Sequence, residues 1–331
     1  MQKRLTLSGS LLFCFLIGCG GSGGGAEIAT TTQTTTQTTS LPTGWTRLAD
    51  LPSGVAKFGV AELRGKIYVA GGYDTRKSLM VYDIATDKWS IGPALPRGTD
   101  NVAAVAAGDK LFAIGGEASN AFQVFDSVSG TWNAGPALPR VGFASAAAVL
   151  GGRVHMLGGW NYSNTASASL ASHSVFDLAA QSWTSAAPLA TARNAAGAAV
   201  IDGRLFVVGG RSPGIRANDQ QSLASLEIYT PMADQWVTAA PMPTARGSLA
   251  VLALGGRLYA LGGESTRGTV SDAVERYDPV AQTWSVLPAM PFRSHGLGAV
   301  AVGDAIYVMG GFTGPADAVG SESVALYRYK P

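Results

Sequence analysis

Cysteine is close to absent from this sequence, and the two that occur, Cys14 and Cys19, both fall within the first 19 residues. The rest of the chain has no disulfide to staple it and no thiol for nucleophilic, redox or metal-thiolate chemistry. Histidine is scarce too: His155, His173 and His295 stand far apart, without chelating spacing, so no metal site is expected. Charged residues are only 14% of the chain and the net charge is +2. That excludes the broad basic surface on which nucleic-acid binding depends. No phosphate loop, dinucleotide fingerprint or nucleophile elbow occurs, and no cofactor is expected. Long apolar runs are missing as well. The N-terminal run 11–17 is too short to span a bilayer as a helix.

What remains is rich in glycine (43) and tryptophan (7), with 47% hydrophobic residues, ample for a sizeable core. At the N-terminus, Lys3 and Arg4 precede the apolar run, which ends in Leu16-Ile17-Gly18-Cys19. This arrangement resembles the bacterial lipoprotein signal with its lipobox. The resemblance implies that residues 1–19 are a signal segment cleaved before Cys19, whose thiol receives lipid and attaches the chain to a membrane. It also implies an address in the bacterial cell envelope; with Gly20 rather than aspartate after the cysteine, the outer membrane is favoured. Residues 20–44 are Gly, Ser, Thr and Gln with few large apolar side chains, and are expected to be a disordered tether. Its reach would be about 25–30 Å.

From residue 45 onward the chain repeats one pattern. Glycine pairs stand at Gly71-Gly72, Gly115-Gly116, Gly158-Gly159, Gly209-Gly210, Gly262-Gly263 and Gly310-Gly311, spaced by 44, 43, 51, 53 and 48 residues. Each follows a strand-like run such as Ile67-Tyr68-Val69 or Leu258-Tyr259-Ala260. After a variable loop comes a second run with a central aromatic: Val81-Tyr82-Asp83, Val124-Phe125-Asp126, Val175-Phe176-Asp177, Ile228-Tyr229-Thr230, Arg276-Tyr277-Asp278 and, for the sixth unit, Leu326-Tyr327-Arg328. Trp89, Trp132, Trp183, Trp236 and Trp284 close the first five units. Turns such as Gly108-Asp109 and Asp202-Gly203 suit tight hairpins, because glycine and aspartate tolerate positive φ. Glycine turns about a dozen residues apart leave no room for helices of ordinary length. The first strand of each unit is unusually small in side-chain volume, as strands converging on an axis require.

Six such units over residues 45–331 resemble the kelch repeat. The resemblance implies an all-β fold: a six-bladed β-propeller with four antiparallel strands per blade. The sixth unit ends before its tryptophan, while Trp45-Thr46-Arg47 is a tryptophan strand with no unit before it. The expectation is therefore a ring closed by the N-terminal strand at Trp45, with Tyr/Phe and Trp positions packed between blades.

Arg97, Arg140, Arg193, Arg246 and Arg293 lie 16 to 18 residues before a glycine pair, with Ser53 and Lys57 as the nearest counterparts in the first unit. The spacing predicts an arginine near one channel mouth in five of six blades. Two readings stay open: an anion-binding ring, or side chains that hydrogen-bond loop carbonyls. The longest loops follow the third and fourth glycine pairs and carry Trp160, Tyr162, Arg211 and Arg216, types that stack on a sugar or anchor a peptide. Glu117 and Glu264 directly follow glycine pairs. In an enzyme, one of them would be the general base, with Arg140, Arg246 or Arg293 holding a substrate anion. The leading expectation is a monomeric module, without chemistry of its own, that binds a protein or glycan on this loop face. The alternative is a sugar-processing enzyme similar to kelch-type sialic acid epimerases or mutarotases. Copper radical oxidases of the galactose oxidase type are excluded, because they need a cysteine that the chain beyond residue 19 lacks.

Overall fold

The computed structural model describes residues 41–331 except 118, 162–167 and 213–219. The signal and tether expected over residues 1–40, Cys19 among them, lie outside the described residues.

Six four-stranded antiparallel sheets are arranged as blades. Their innermost strands are Gly59–Leu63, Ala103–Ala107, Ala146–Leu150, Gly197–Ile201, Ala250–Leu254 and Gly298–Val302. These strands line a central channel with alanine, glycine and valine, where bulkier side chains would collide. The second strands are apolar along nearly their whole length, as in Lys66–Ala70 and Leu258 to Leu261, because both faces of each sheet are covered. Alternate residues serve opposite seams: Ile67 and Val69 pack toward blade 6, Tyr68 and Ala70 toward blade 2. The core accordingly divides into six clusters, one per seam.

Tryptophan latches the seams. The indole N–H of Trp89 donates to the Ala49 carbonyl at 2.9 Å, Trp132 to Pro93 at 2.9 Å, Trp183 to Pro136 at 3.0 Å, Trp236 to Ala187 at 2.8 Å and Trp284 to Ala240 at 2.8 Å. Each acceptor lies in the linker that arrives from the preceding blade, so one polar bond ties an outer strand to its neighbour.

Blade 6 is closed as expected. The strand Trp45–Arg47 pairs antiparallel with Leu326–Tyr329, setting Trp45 opposite Tyr329. That register corrects the alignment of the sixth unit. Tyr329, rather than Tyr327, is the counterpart of Tyr82, since Ile306 faces Tyr329 as Ile67 faces Tyr82. The two tyrosines are two residues apart and share a face, so the sequence pattern alone does not separate them. Trp45 stacks on Tyr329 with centroids 4.5 Å apart, but its indole nitrogen is buried without a partner among the described residues.

Closure thus rests on strand pairing and aromatic packing. Trp45→Ala is expected to cost about 3–5 kcal/mol in urea unfolding, the size of a large core truncation. A cost below about 1 kcal/mol, the scale of a surface change, would mean that the strand does not hold the ring.

Candidate functional site

Linkers and glycine-pair loops share one face, because strand 1 starts there and strand 2 returns there. At the channel mouth six residues stand 14 positions before their glycine pairs: Lys57, Asn101, Ala144, Ala195, Ser248 and Gly296. All six have left-handed backbone, with φ between 49° and 60°. Their peptides form a closed circle of hydrogen bonds. Lys57 N–H donates to the Gly296 carbonyl (2.7 Å), Asn101 to Lys57 (2.7 Å), Ala144 to Asn101 (3.2 Å), Ala195 to Ala144 (2.8 Å), Ser248 to Ala195 (2.8 Å) and Gly296 to Ser248 (2.8 Å). The cavity they surround is about 100 Å³.

The expected ring of five arginines is not there. Arg193 and Arg246 are buried, at 1% and 2% exposure. Arg193 pairs with Glu227 and also donates to the carbonyls of Gly209 and Ser225; Arg246 pairs with Glu275 at 2.9 Å. Both clamp an incoming linker to the third strand of its own blade. Arg97 and Arg140 are exposed and make no ion pair among the described residues; Arg293 reaches Asp272 at 3.5 Å on the surface. The spacing explains the difference. Arg193 and Arg246 lie 16 residues before their glycine pairs, Arg293 lies 17 and the other two lie 18, so three backbone positions were aligned as one. The 16-residue position also packs closely against the glycine pair of the preceding blade. Gly263 N–H donates to the Ser294 carbonyl at 2.8 Å, and a Cβ on Gly262 (φ +59°) would lie 2.6 Å from that oxygen.

The charged groups that do gather line a cleft of about 290 Å³ above blades 4, 5 and 6, walled by Arg211, Gln220, Glu264, Ser265, Thr266, Gly268, Ala316 and Asp317. Glu264 is 6% exposed. Its backbone bridges Gly247 and Val270, which fixes its side chain beside Arg211, the partner of one carboxylate oxygen. Among the described residues the other oxygen has only the Ala316 N–H at 3.5 Å and His295 Nε2 at 3.6 Å. His295 is fully buried and hydrogen-bonds the Gly314 carbonyl at 3.1 Å through Nε2, while Nδ1 has no partner among the described residues. Burial pushes its pKa down against the opposing pull of Glu264 and Asp317, so the ring is neutral near pH 7. Lys57, from the mouth, pairs with Asp317 and lies over Phe312.

Glu117, the other candidate base, is half-exposed and pairs with Arg76 at 2.5 Å; Arg76 also holds buried Asp100 at 3.0 Å. Neither glutamate lies against Arg140, Arg246 or Arg293. Trp160 is buried, its peptide paired with Phe143, and offers no open ring face. Tyr162 and Arg216 lie outside the described residues. Arg76 and Asp317 were not read as site residues: each sits in a loop of unique sequence, where the repeat gives no signal.

Blade 3 carries a second polar feature. His155 and His173 occupy slots filled elsewhere by residues such as Phe112 and Phe122, and their rings are hydrogen-bonded at 2.8 Å (Nδ1 to Nε2). His173 also contacts the Ala187 carbonyl that latches Trp236. Burial lowers the His155 pKa to about 4 from 6.5.

Two outcomes follow from these geometries. A histidine with a depressed pKa binds its proton more readily when unfolded, so its contribution is complete above pH 6.5 and is lost as pH falls toward 4. Unfolding at stepped pH should show about 3 kcal/mol of loss over that window that His155→Phe abolishes; an unchanged slope would refute the assignment. Arg193→Ala, which leaves Glu227 buried without its cation, should cost about 3–5 kcal/mol. Arg97→Ala should change stability by less than about 0.5 kcal/mol.

Comparison with known proteins agrees with this geometry. Residues 101–311 match the KLHDC2/KLHL20/DRC7 Kelch-repeats domain, and residues 56–96 match the Kelch motif. The chain is 26% identical over 257 residues to Kelch-like protein terF of Aspergillus terreus, covering 74% of this chain and 46% of that protein. It is 27% identical over 237 residues to Kelch-like protein 40 of Mus musculus, covering 70% and 30%. A shorter match, 34% over 88 residues, covers 27% of this chain and 14% of Kelch-like ECH-associated protein 1A of Danio rerio. The chain spans less than half the length of these relatives. With six glycine-paired blades and a family match over residues 101–311, the chain belongs to the kelch-repeat family.

Proposed function

We propose that this kelch propeller is a binding module of the bacterial cell envelope, tethered through lipid on Cys19 and residues 20–44, that engages a protein partner on its loop face. The observation that carries this reading is the cleft of about 290 Å³ on the loop face, where Arg211, Glu264 and Asp317 meet. Outer strands run from the hairpin face toward the loop face, so Trp45 begins on the hairpin face, where Lys330 N–H donates to the Gly44 carbonyl at 3.0 Å. The first described strand therefore starts on the face opposite the cleft.

A protein is favoured over a glycan because the tryptophan considered for sugar stacking, Trp160, is buried, and among the described residues the cleft is lined by hydrogen-bonding side chains without an aromatic platform. The Danio rerio relative is named as ECH-associated, and a role in association supports the same reading by analogy.

Two measurements test it. Expressed in bacteria fed an alkyne fatty acid, the wild-type protein should become labelled and Cys19→Ser should not; an unlabelled wild type would sink the anchor. Cross-linking in intact envelopes should yield a partner adduct that Thr266→Trp, which fills the cleft, removes and that Ala85→Trp, on the exposed hairpin face, leaves. Equal adducts in both variants would refute the loop face.

A further inference from the structure

We infer that the cleft above blades 4, 5 and 6 receives a cationic side chain of the partner, a lysine ammonium or arginine guanidinium, between Glu264 and Asp317; this rests on the loop-face reading above.

Arginine-rich loops suggest an anionic ligand, but the ion pairs argue otherwise. Arg193 and Arg246 are buried against Glu227 and Glu275 and do not reach the surface. Two basic groups at the cleft are also committed, Arg211 to Glu264 and Lys57 to Asp317, while Arg267 stands exposed on the rim. An anion entering the cleft would have to compete for these cations and lie against two carboxylates.

The unmet capacity is on the acceptor side. A carboxylate offers about four acceptor positions, and Arg211 takes one oxygen of Glu264. The second oxygen, in a residue 6% exposed, has among the described residues no donor nearer than the Ala316 N–H at 3.5 Å. The nearby imidazole of His295 does not make up the difference, since its Nε2 hydrogen-bonds the Gly314 carbonyl at 3.1 Å and lies 3.6 Å from Glu264. Asp317 follows Ala316 directly and is part of the same wall, 39% exposed at its side chain. Ser265, Thr266 and Gln220 complete a lining that accepts hydrogen bonds from an ammonium or guanidinium. A cation here would gain the Glu264 oxygen that holds only the long Ala316 contact, share Asp317 with Lys57, and leave the Arg211 pair intact. The volume, about 290 Å³, suits the end of one long side chain rather than a folded epitope.

The test uses purified protein and capped hexapeptides that differ only in a central lysine, glutamine or glutamate, followed by amide chemical shifts of Ser265, Thr266 and Gly268. The lysine peptide should move these signals most. Glu264→Gln should weaken it by roughly tenfold or more, as loss of a charge-assisted bond does, and Asp317→Asn should weaken it in the same direction if Glu264→Gln folds poorly. Arg267→Ala, which removes an exposed cation from the rim, should leave lysine binding unchanged or tighter, whereas an anion site would be weakened. Equal or better binding of the glutamate peptide, or no shift with any peptide up to millimolar concentration, would overturn the inference. If Thr266→Trp removes the partner adduct while the lysine peptide does not bind, the cation preference fails and the loop face stands. If Thr266→Trp leaves the adduct, the loop-face reading fails too.

Discussion

Six peptide groups at the channel mouth hold one another in a circle, and the rest of the propeller is organised from that circle outward. Lys57, Asn101, Ala144, Ala195 and Ser248 adopt left-handed backbone without being glycine, and only Gly296 does so freely. Each such residue costs about 1–2 kcal/mol relative to ordinary backbone. Two features offset that cost. Every N–H and every carbonyl in the circle is satisfied by its neighbour, and the turn at each position aims the following residue into the first strand of its blade. The circle also fixes the number of blades, because a ring of bonds 2.7–3.2 Å long closes only if all six linkers arrive together.

Beyond the circle, linkers are fastened to the third strand of their blades at one register position, by an ion pair in two blades and by other contacts elsewhere. In blades 4 and 5 that position is Glu227 or Glu275, facing a buried arginine. In blade 2 it is Gln123, whose amide accepts from the Arg97 N–H and donates to the Arg97 carbonyl. In blade 1 it is Met80, against Ser53. The same geometric task is met by an ion pair, an amide or a weak thioether contact. The consequence is uneven electrostatics: arginines disappear from the surface where a glutamate faces them and remain exposed where none does.

This unevenness marks what the sequence could and could not reveal. Glycine pairs, hairpin turns and tryptophans recur because backbone geometry demands them in every blade, so the six-bladed ring and its closure through Trp45 were legible. Register in blade 6 was not, because Tyr327 and Tyr329 project to the same face and only strand pairing distinguishes them. The arginines misled because a window of 16 to 18 residues spans three positions with different exposure. Glu264 was legible as a face residue, since it follows a glycine pair, but its neighbours Arg211, His295 and Asp317 come from three different blades or linkers. Such convergence depends on the loops of unique sequence, and repetition carries no information about it.

The meeting of the chain ends has a topological meaning. Trp45 and Tyr329 lie opposite each other in one sheet, and the Lys330 N–H reaches the Gly44 carbonyl at 3.0 Å, so the domain is nearly a cyclic polymer that happens to be opened within blade 6. No blade is first in any physical sense. Joined across that gap by a short bridge, the same circle of linkers could be opened at another outer turn, and the order of blades along the gene would then change without altering the order around the axis.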